Sequence, residues 1–338
     1  MLKNIKLQTR QLPKGGKISV SFFLLVLQGK AGGFFLRLTA ADSVLFCCHP
    51  KILKKPNIQC KIIFMTFTLN FALLFVVALT VSALGFIKYV YFISLGYGFS
   101  IAAQGIFMLF AFRHRLNVWV IIPCVLLIVY GLRLSLFLLI RELKSSAYNS
   151  VMKKEIRQNE DVSFGVKIAI WITCVLLYGC QVAPVFFRLQ NILLAQNAEL
   201  TGGAVFTAGM IVAFAGLILE SAADIQKNHY KKINPKRFCD KGLFKIVRCP
   251  NYLGEVLFWT GVFVSGANAI NGAAQWIIVV SGYLGIIYVM FSGARRLEIR
   301  QNKNYGTDPD YAEYVKRTPI LLPFIPLYSV EKYKWLVG

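Results

Sequence analysis

The chain has 338 residues, of which 57% are hydrophobic and only 16% charged, and it carries a formal net charge of +23. That apolar fraction lies far outside a soluble globular composition and predicts a polytopic helical membrane protein. In a soluble chain such a charge would point to nucleic acid; here Lys and Arg cluster in short loops between apolar runs, as headgroup-facing segments do, so no nucleic-acid partner is expected and membrane lipid is.

Residues 1–60 differ in composition from the rest of the chain. Eleven Lys or Arg lie between Lys3 and Lys61, against a single acid, Asp42. The composition suits a presequence, since the apolar run Ile18 to Leu27 is too short to span and resembles a signal h-region. It equally suits a translation start placed too far upstream of Met65, or a disordered extension. Residues 61–338 are expected to form a single membrane domain.

From Cys60 onward, seven apolar segments of spanning length are predicted, at about 62–87, 89–112, 117–140, 164–187, 203–225, 252–270 and 274–293. Only helices fit, because a lipid-facing backbone must satisfy its own hydrogen bonds. The first two segments, parted by little more than Lys88, and the last two, parted by Asn268 to Gly272, are expected to be tight hairpins. Loops 141–162 and 226–251 and the tail after Arg295 hold most of the remaining Lys and Arg, which makes that side cytoplasmic and puts the residues before the first span outside. The basic extension runs against this assignment.

The third segment contains Tyr130 and Arg133, and Arg133 lies about two turns before Arg141, too deep for snorkelling alone. It should pair with an acid on another helix, with Glu220, Asp224 and Glu255 as the candidates. Glu220 and Asp224 lie one turn apart on one face at the end of the fifth segment. From Lys227 to Arg248 there are eight Lys or Arg and one acid, Asp240, so this loop attracts anions.

Charge, a turn and a buried acid meet at Lys236 to Trp259, KRFCDKGLFKIVRCPNYLGEVLFW. Arg237, Lys241, Lys245 and Arg248 supply cationic donors, Gly242 permits a close turn and Pro250 starts a helix. Glu255 and Trp259 then share a face, and a carboxylate placed inside a membrane is a functional-site candidate. Elsewhere the signals are weak. His49, His114 and His229 are scattered, neither soluble-type nucleotide loop occurs, and the eight cysteines form no disulfide or zinc spacing, so no metal site is expected.

The string GLFKIVRCPNYLGEVLFW resembles the C-terminal signature of the steroid 5-alpha-reductase-like membrane proteins, with Cys249 where His is commonest; the resemblance extends over 217–338. It implies an endoplasmic-reticulum enzyme in a eukaryote, using NADPH to reduce an activated carbon–carbon double bond of a lipophilic substrate such as a steroid, sterol, polyprenol or enoyl lipid. It further implies that Asn251 and Glu255 fix the nicotinamide carboxamide beside Tyr252, and that Arg248 and the loop bearing Arg237, Lys241 and Gly242 neutralise phosphates. Glu220 and Asp224 would serve the ribose, and Arg295 and Arg296 the pyrophosphate. The group that polarises the substrate is left open among Tyr91, Tyr97, Tyr130 and Tyr178, with Glu255 a further candidate. Two alternatives stand beside this reading: an S-adenosylmethionine-dependent methyltransferase resembling the isoprenylcysteine carboxyl methyltransferases, which share Arg-x-Pro-x-Tyr-x-Gly, and a noncatalytic lipid-binding or scaffold protein. Nothing in the sequence calls for an obligate protein partner.

Overall fold

A computed structural model describes residues 56–144, 163–195 and 202–337. The basic extension up to residue 55 and most of the 141–162 loop lie outside the described residues. The described chain is all-helical, without a strand: α1 Pro56–Ser82, α2 Leu95–Ala111, α3 Val118–Lys144, α4 Phe164–Ala195, α5 Ala204–Ile233, α6 Pro250–Ala267, α7 Gly272–Tyr305 and the short α8 Pro309–Arg317. Each predicted apolar segment holds one of the first seven. Stretches carried by α1, α3, α4, α5 and α7 are long and apolar enough to cross a membrane, whereas α2, at 17 residues, is shorter.

Several helices outrun the apolar segments that predict them. Hydropathy marks where a helix can meet lipid, while the backbone hydrogen-bond ladder continues into water; α5 therefore reaches Ile233 and α7 reaches Tyr305. The first hairpin is also looser than predicted. Two 3₁₀ turns, Ala83–Phe86 and Tyr89–Ile93, separate α1 from α2. Between them Phe92 is fully buried under Gly85, Lys88 reaches Glu142 at 2.5 Å, and Tyr91 Oη donates to the same carboxylate at 2.7 Å. The second hairpin is tight, with Gly272 at φ +75° where α7 begins.

Backbone-to-backbone packing sets the register that matters for the site. Along the α5–α6 seam, a Cβ on Gly216 would lie 2.3 Å from Phe258 N, one on Gly254 2.5 Å from Glu220 N, and one on Gly261 2.2 Å from Ala213 N. Such small-residue seams let helices approach where no hydrophobic force acts between them and lipid. Here the seam sets Glu220 beside Gly254, and hence level with Glu255. The α2–α3 pair uses the same device, since a Cβ on Gly131 would lie 2.2 Å from Gly98 O; this brings Tyr97 to Tyr130. The C-terminal ends of α3, α5 and α7 and the N-terminal end of α6 gather at what is termed below the basic end.

Candidate functional site

α5 presents Glu220, Asp224, Lys227 and Lys231 at spacings of four, three and four, one stripe of a helix. The upper half of the stripe is paired internally. Arg133 of α3 donates from Nη1 to Glu220 and from Nη2 to Asp224, the latter at 2.5 Å. Two of the three acids predicted as partners thus share one guanidinium. A fork of this kind suits arginine because its donors are planar and rigidly spaced.

The third acid, Glu255, is held by hydroxyls instead. Tyr130 Oη and Tyr97 Oη donate to its Oε1 at 2.9 and 3.0 Å, lie 3.0 Å from each other, and Trp259 Nε1 donates to Tyr97 Oη at 2.8 Å. Tyr130 stacks on Phe258 at 4.0 Å between centroids, which locks the ring. All four side chains of this cluster are buried. Three oxygens in mutual contact form a chain along which a proton can pass from one to the next. Tyr178 stands beside this relay, its ring 5.0 Å from that of Tyr97, but its hydroxyl donates to Phe92 O at 2.5 Å.

The lower half of the stripe opens on a cavity of about 200 Å³ between α5, α7 and the 238–244 loop. Lys227, Lys231 and Arg300 bring three cations to its wall, and no lining residue is acidic. Phe238, Phe244 and Tyr305 add aromatic faces, and Gln301 and Asn304 add amides. Lys231 Nζ donates to three neutral oxygens, Arg237 O at 2.5 Å, Tyr305 Oη at 2.9 Å and Pro235 O at 3.3 Å, so its charge meets no carboxylate although its donors are engaged. Burial raises the Cys239 thiol above its ordinary value, so it lines the wall as a neutral group. The volume falls below the roughly 300–1,000 Å³ of a pocket for a whole drug-sized ligand and suits a phosphate-bearing portion of one.

The loop under this cavity is braced. Gly242 stands at φ +57°, and a Cβ there would lie 2.1 Å from Gln226 Nε2; Gln226 in turn accepts from Leu243 N at 2.8 Å. Tyr314 of α8 donates to Phe244 O at 2.7 Å, and burial keeps its phenol well above the ordinary value and so a donor. Phe238 stacks on Tyr314 with centroids 5.3 Å apart.

The remaining predicted site residues divide. Lys241 and Arg296 are exposed at the basic end, and Arg237 pairs with Asp310 at 3.2 Å and Asp240 at 3.5 Å. Asn251 stands in the first turn of α6 with Oδ1 buried and without a hydrogen-bond partner among the described residues. Tyr252 packs its ring beside Gly293. Arg248 is 1% exposed and its charge is already met, by Glu298 at 2.8 Å and by Tyr328 O. Arg295 donates to Glu331 O at 3.0 Å and Leu336 O at 3.3 Å. These two arginines hold the tail and do not line the cavity. Cys249, in the position where the resembled signature most often has His, is buried, which pushes its thiol up to about 11.

Sequence reasoning places Arg300 in the basic cluster that leaves the last span but missed Gln301 and Asn304, because the helix was expected to end near 293. Their spacing from Leu297, three, four and seven residues, is the helical signal that would have found them.

Fold and site together define a polytopic helical membrane protein with a cation-lined cavity at one end of its bundle and a buried carboxylate–tyrosine cluster further into the bundle. The family described as "Protein of unknown function (DUF1295)" matches residues 62–318, and the chain belongs to that family. No curated protein and no solved structure matches the chain.

Proposed function

We propose that the chain is a membrane-embedded, NADPH-dependent reductase acting on an activated carbon–carbon double bond of a lipophilic substrate: a steroid, sterol, polyprenol or enoyl lipid. The observation that carries this reading is the continuity of the α5 stripe, from anion-attracting cations at Lys227 and Lys231 to the acids that lie level with the Glu255 cluster. The resemblance of Gly242 to Trp259 to the steroid 5-alpha-reductase-like signature supports it.

The residues present fit the cofactor. Lys227 and Arg300 face the space a phosphate needs, and the exposed Lys241 and Arg296 add positive potential at the basic end, whereas Arg237 is already paired with Asp240 and Asp310. The unpartnered Asn251 Oδ1 can accept from a carboxamide N–H, and Tyr252 packs beside it. Bound NADPH would supply hydride. A protonated Glu255 would donate to Tyr97 or Tyr130 and so free that phenol's single O–H to polarise the conjugated carbonyl; the phenol proton would pass to the reduced product and be replaced from Glu255. Glu220 and Asp224, which share Arg133, would stand between the two regions. In this reading all seven long helices span the membrane, with the basic end cytoplasmic, the N-terminal side outside and the endoplasmic reticulum the location in a eukaryotic cell.

Titrating the detergent-purified full chain with NADPH and, separately, with S-adenosylmethionine tests the proposal. Binding of NADPH that weakens in Lys227→Ala and Arg300→Ala supports it. Binding of S-adenosylmethionine alone would make the chain a methyltransferase, and binding of neither would make it a lipid-binding or scaffold protein.

A further inference from the structure

The segment after α8 returns along the outside of the bundle and lies against α7 below the basic end. The level follows from packing: a Cβ on Gly293 would lie 3.4 Å from the Tyr252 ring, so this part of α7 is level with the first turn of α6. Tyr288 is five residues further down α7, about 7 Å deeper at 1.5 Å per residue. It stands within the apolar stretch of that helix, near Leu284, which is 59% exposed. At that depth Tyr288 Oη donates to Trp335 O at 3.0 Å and accepts from Val337 N at 3.2 Å. One turn or two higher, Arg295 donates to Glu331 O and Leu336 O. Leu336 is buried inward, while Trp335 and Val337 point outward at 65% and 73% exposure. Lys332 and Lys334 precede them and are exposed.

We propose that residues 331–337 form an interfacial anchor whose partner is the surrounding bilayer at its headgroup–acyl boundary, with Trp335 and Val337 in lipid and Lys332 and Lys334 on phosphates. Three observations choose lipid over a second copy of the chain. The hook sits at the depth of an apolar helix face. Its carbonyls are capped by α7 side chains, which backbone requires where water is scarce. Its outward residues are the aromatic, aliphatic and lysine set of a membrane interface, with two cations that a self-complementary contact would set against each other. Because the same tail accepts from Arg248 at Tyr328 and donates from Val330 N to Glu298 at 2.8 Å, lipid contact also braces the start of α6. None of this rests on the reductase reading.

The test uses the full chain in nanodiscs of phosphatidylcholine and phosphatidylglycerol, comparing tryptophan emission of the native protein with that of Trp335→Phe. The component lost in the variant should be quenched roughly twofold by lipid carrying doxyl near its carbonyl, and little by aqueous iodide. Quenching by iodide alone would place the hook in water, and quenching by neither would place it under protein, such as a second copy; either result overturns the proposal. Trypsin cleavage after Lys332 and Lys334 needs no variant. It should be slow in nanodiscs and faster in detergent, and cleavage as rapid in nanodiscs as at exposed Lys316 would equally overturn it.

Discussion

The two halves of the α5 stripe use charge in opposite ways. Glu220 and Asp224 share a single guanidinium, and Glu255 accepts from two phenols, so each interior acid has a hydrogen-bond partner within the protein. One turn further along the same helix, Lys227 and Lys231 face a cavity whose wall, with Arg300, holds no acid. Buried ions left alone are costly, so the paired half is explained by stability and orientation. Cations gathered around an opening, with aromatic and amide groups beside them, attract anions, and in the proposed function they would receive an anionic ligand from outside. Removing charge from the two halves should therefore have different consequences.

The largest effect is expected for Arg133→Met, which leaves Glu220 and Asp224 without their shared partner. Stability should fall by about 3–5 kcal/mol, read as a loss of monodisperse protein or a lower unfolding midpoint in detergent. Restoring neutrality with Glu220→Gln and Asp224→Asn in the same chain should recover much of that loss, and a failure to do so would show that the arginine's packing matters more than its charge. Gly261→Val tests the seam that aligns the two halves. Its side chain would push into the backbone at Ala213, with a cost of about 1–3 kcal/mol and a matching loss of NADPH binding, because Glu255 moves relative to α5.

In the other half the consequence should fall on ligand. Lys227→Ala and Arg300→Ala should each weaken NADPH binding about tenfold, or about 1.4 kcal/mol, with the unfolding midpoint little changed. Loss of stability without loss of affinity would place these cations among the structural ones. The smallest effect is expected for Tyr130→Phe. It removes one buried hydroxyl from the Glu255 cluster, should cost about 1 kcal/mol, and should leave NADPH affinity as it was; a loss of affinity would bring Tyr130 into the binding site itself.

Much of this arrangement is legible in the chain alone. The depth of Arg133 calls for an acid, and two of the three candidate acids answer. Gly242 is expected at a close turn and has the left-handed backbone that such a turn requires. The roles of Arg248 and Arg295 are less legible. Both look like phosphate ligands because they are cations next to a signature, yet each holds residues of the tail that are distant in sequence. No local pattern announces such a partner. The partner of Glu298 is hidden for the same reason: in the sequence it is one acid in a basic cluster, and only the fold sets it against Arg248.

By itself, the sequence determined that the chain is helical and rich in membrane-length apolar stretches, where its small residues and buried acids fall along each helix, and that one end is basic. These follow from period, composition and charge, which are local. Only the tertiary structure decided which cation meets which anion, because that depends on the register of helices distant in the chain. Glycine seams set that register by letting one backbone touch another, and the same packing separated the arginines that hold the protein together from the lysines that line the cavity.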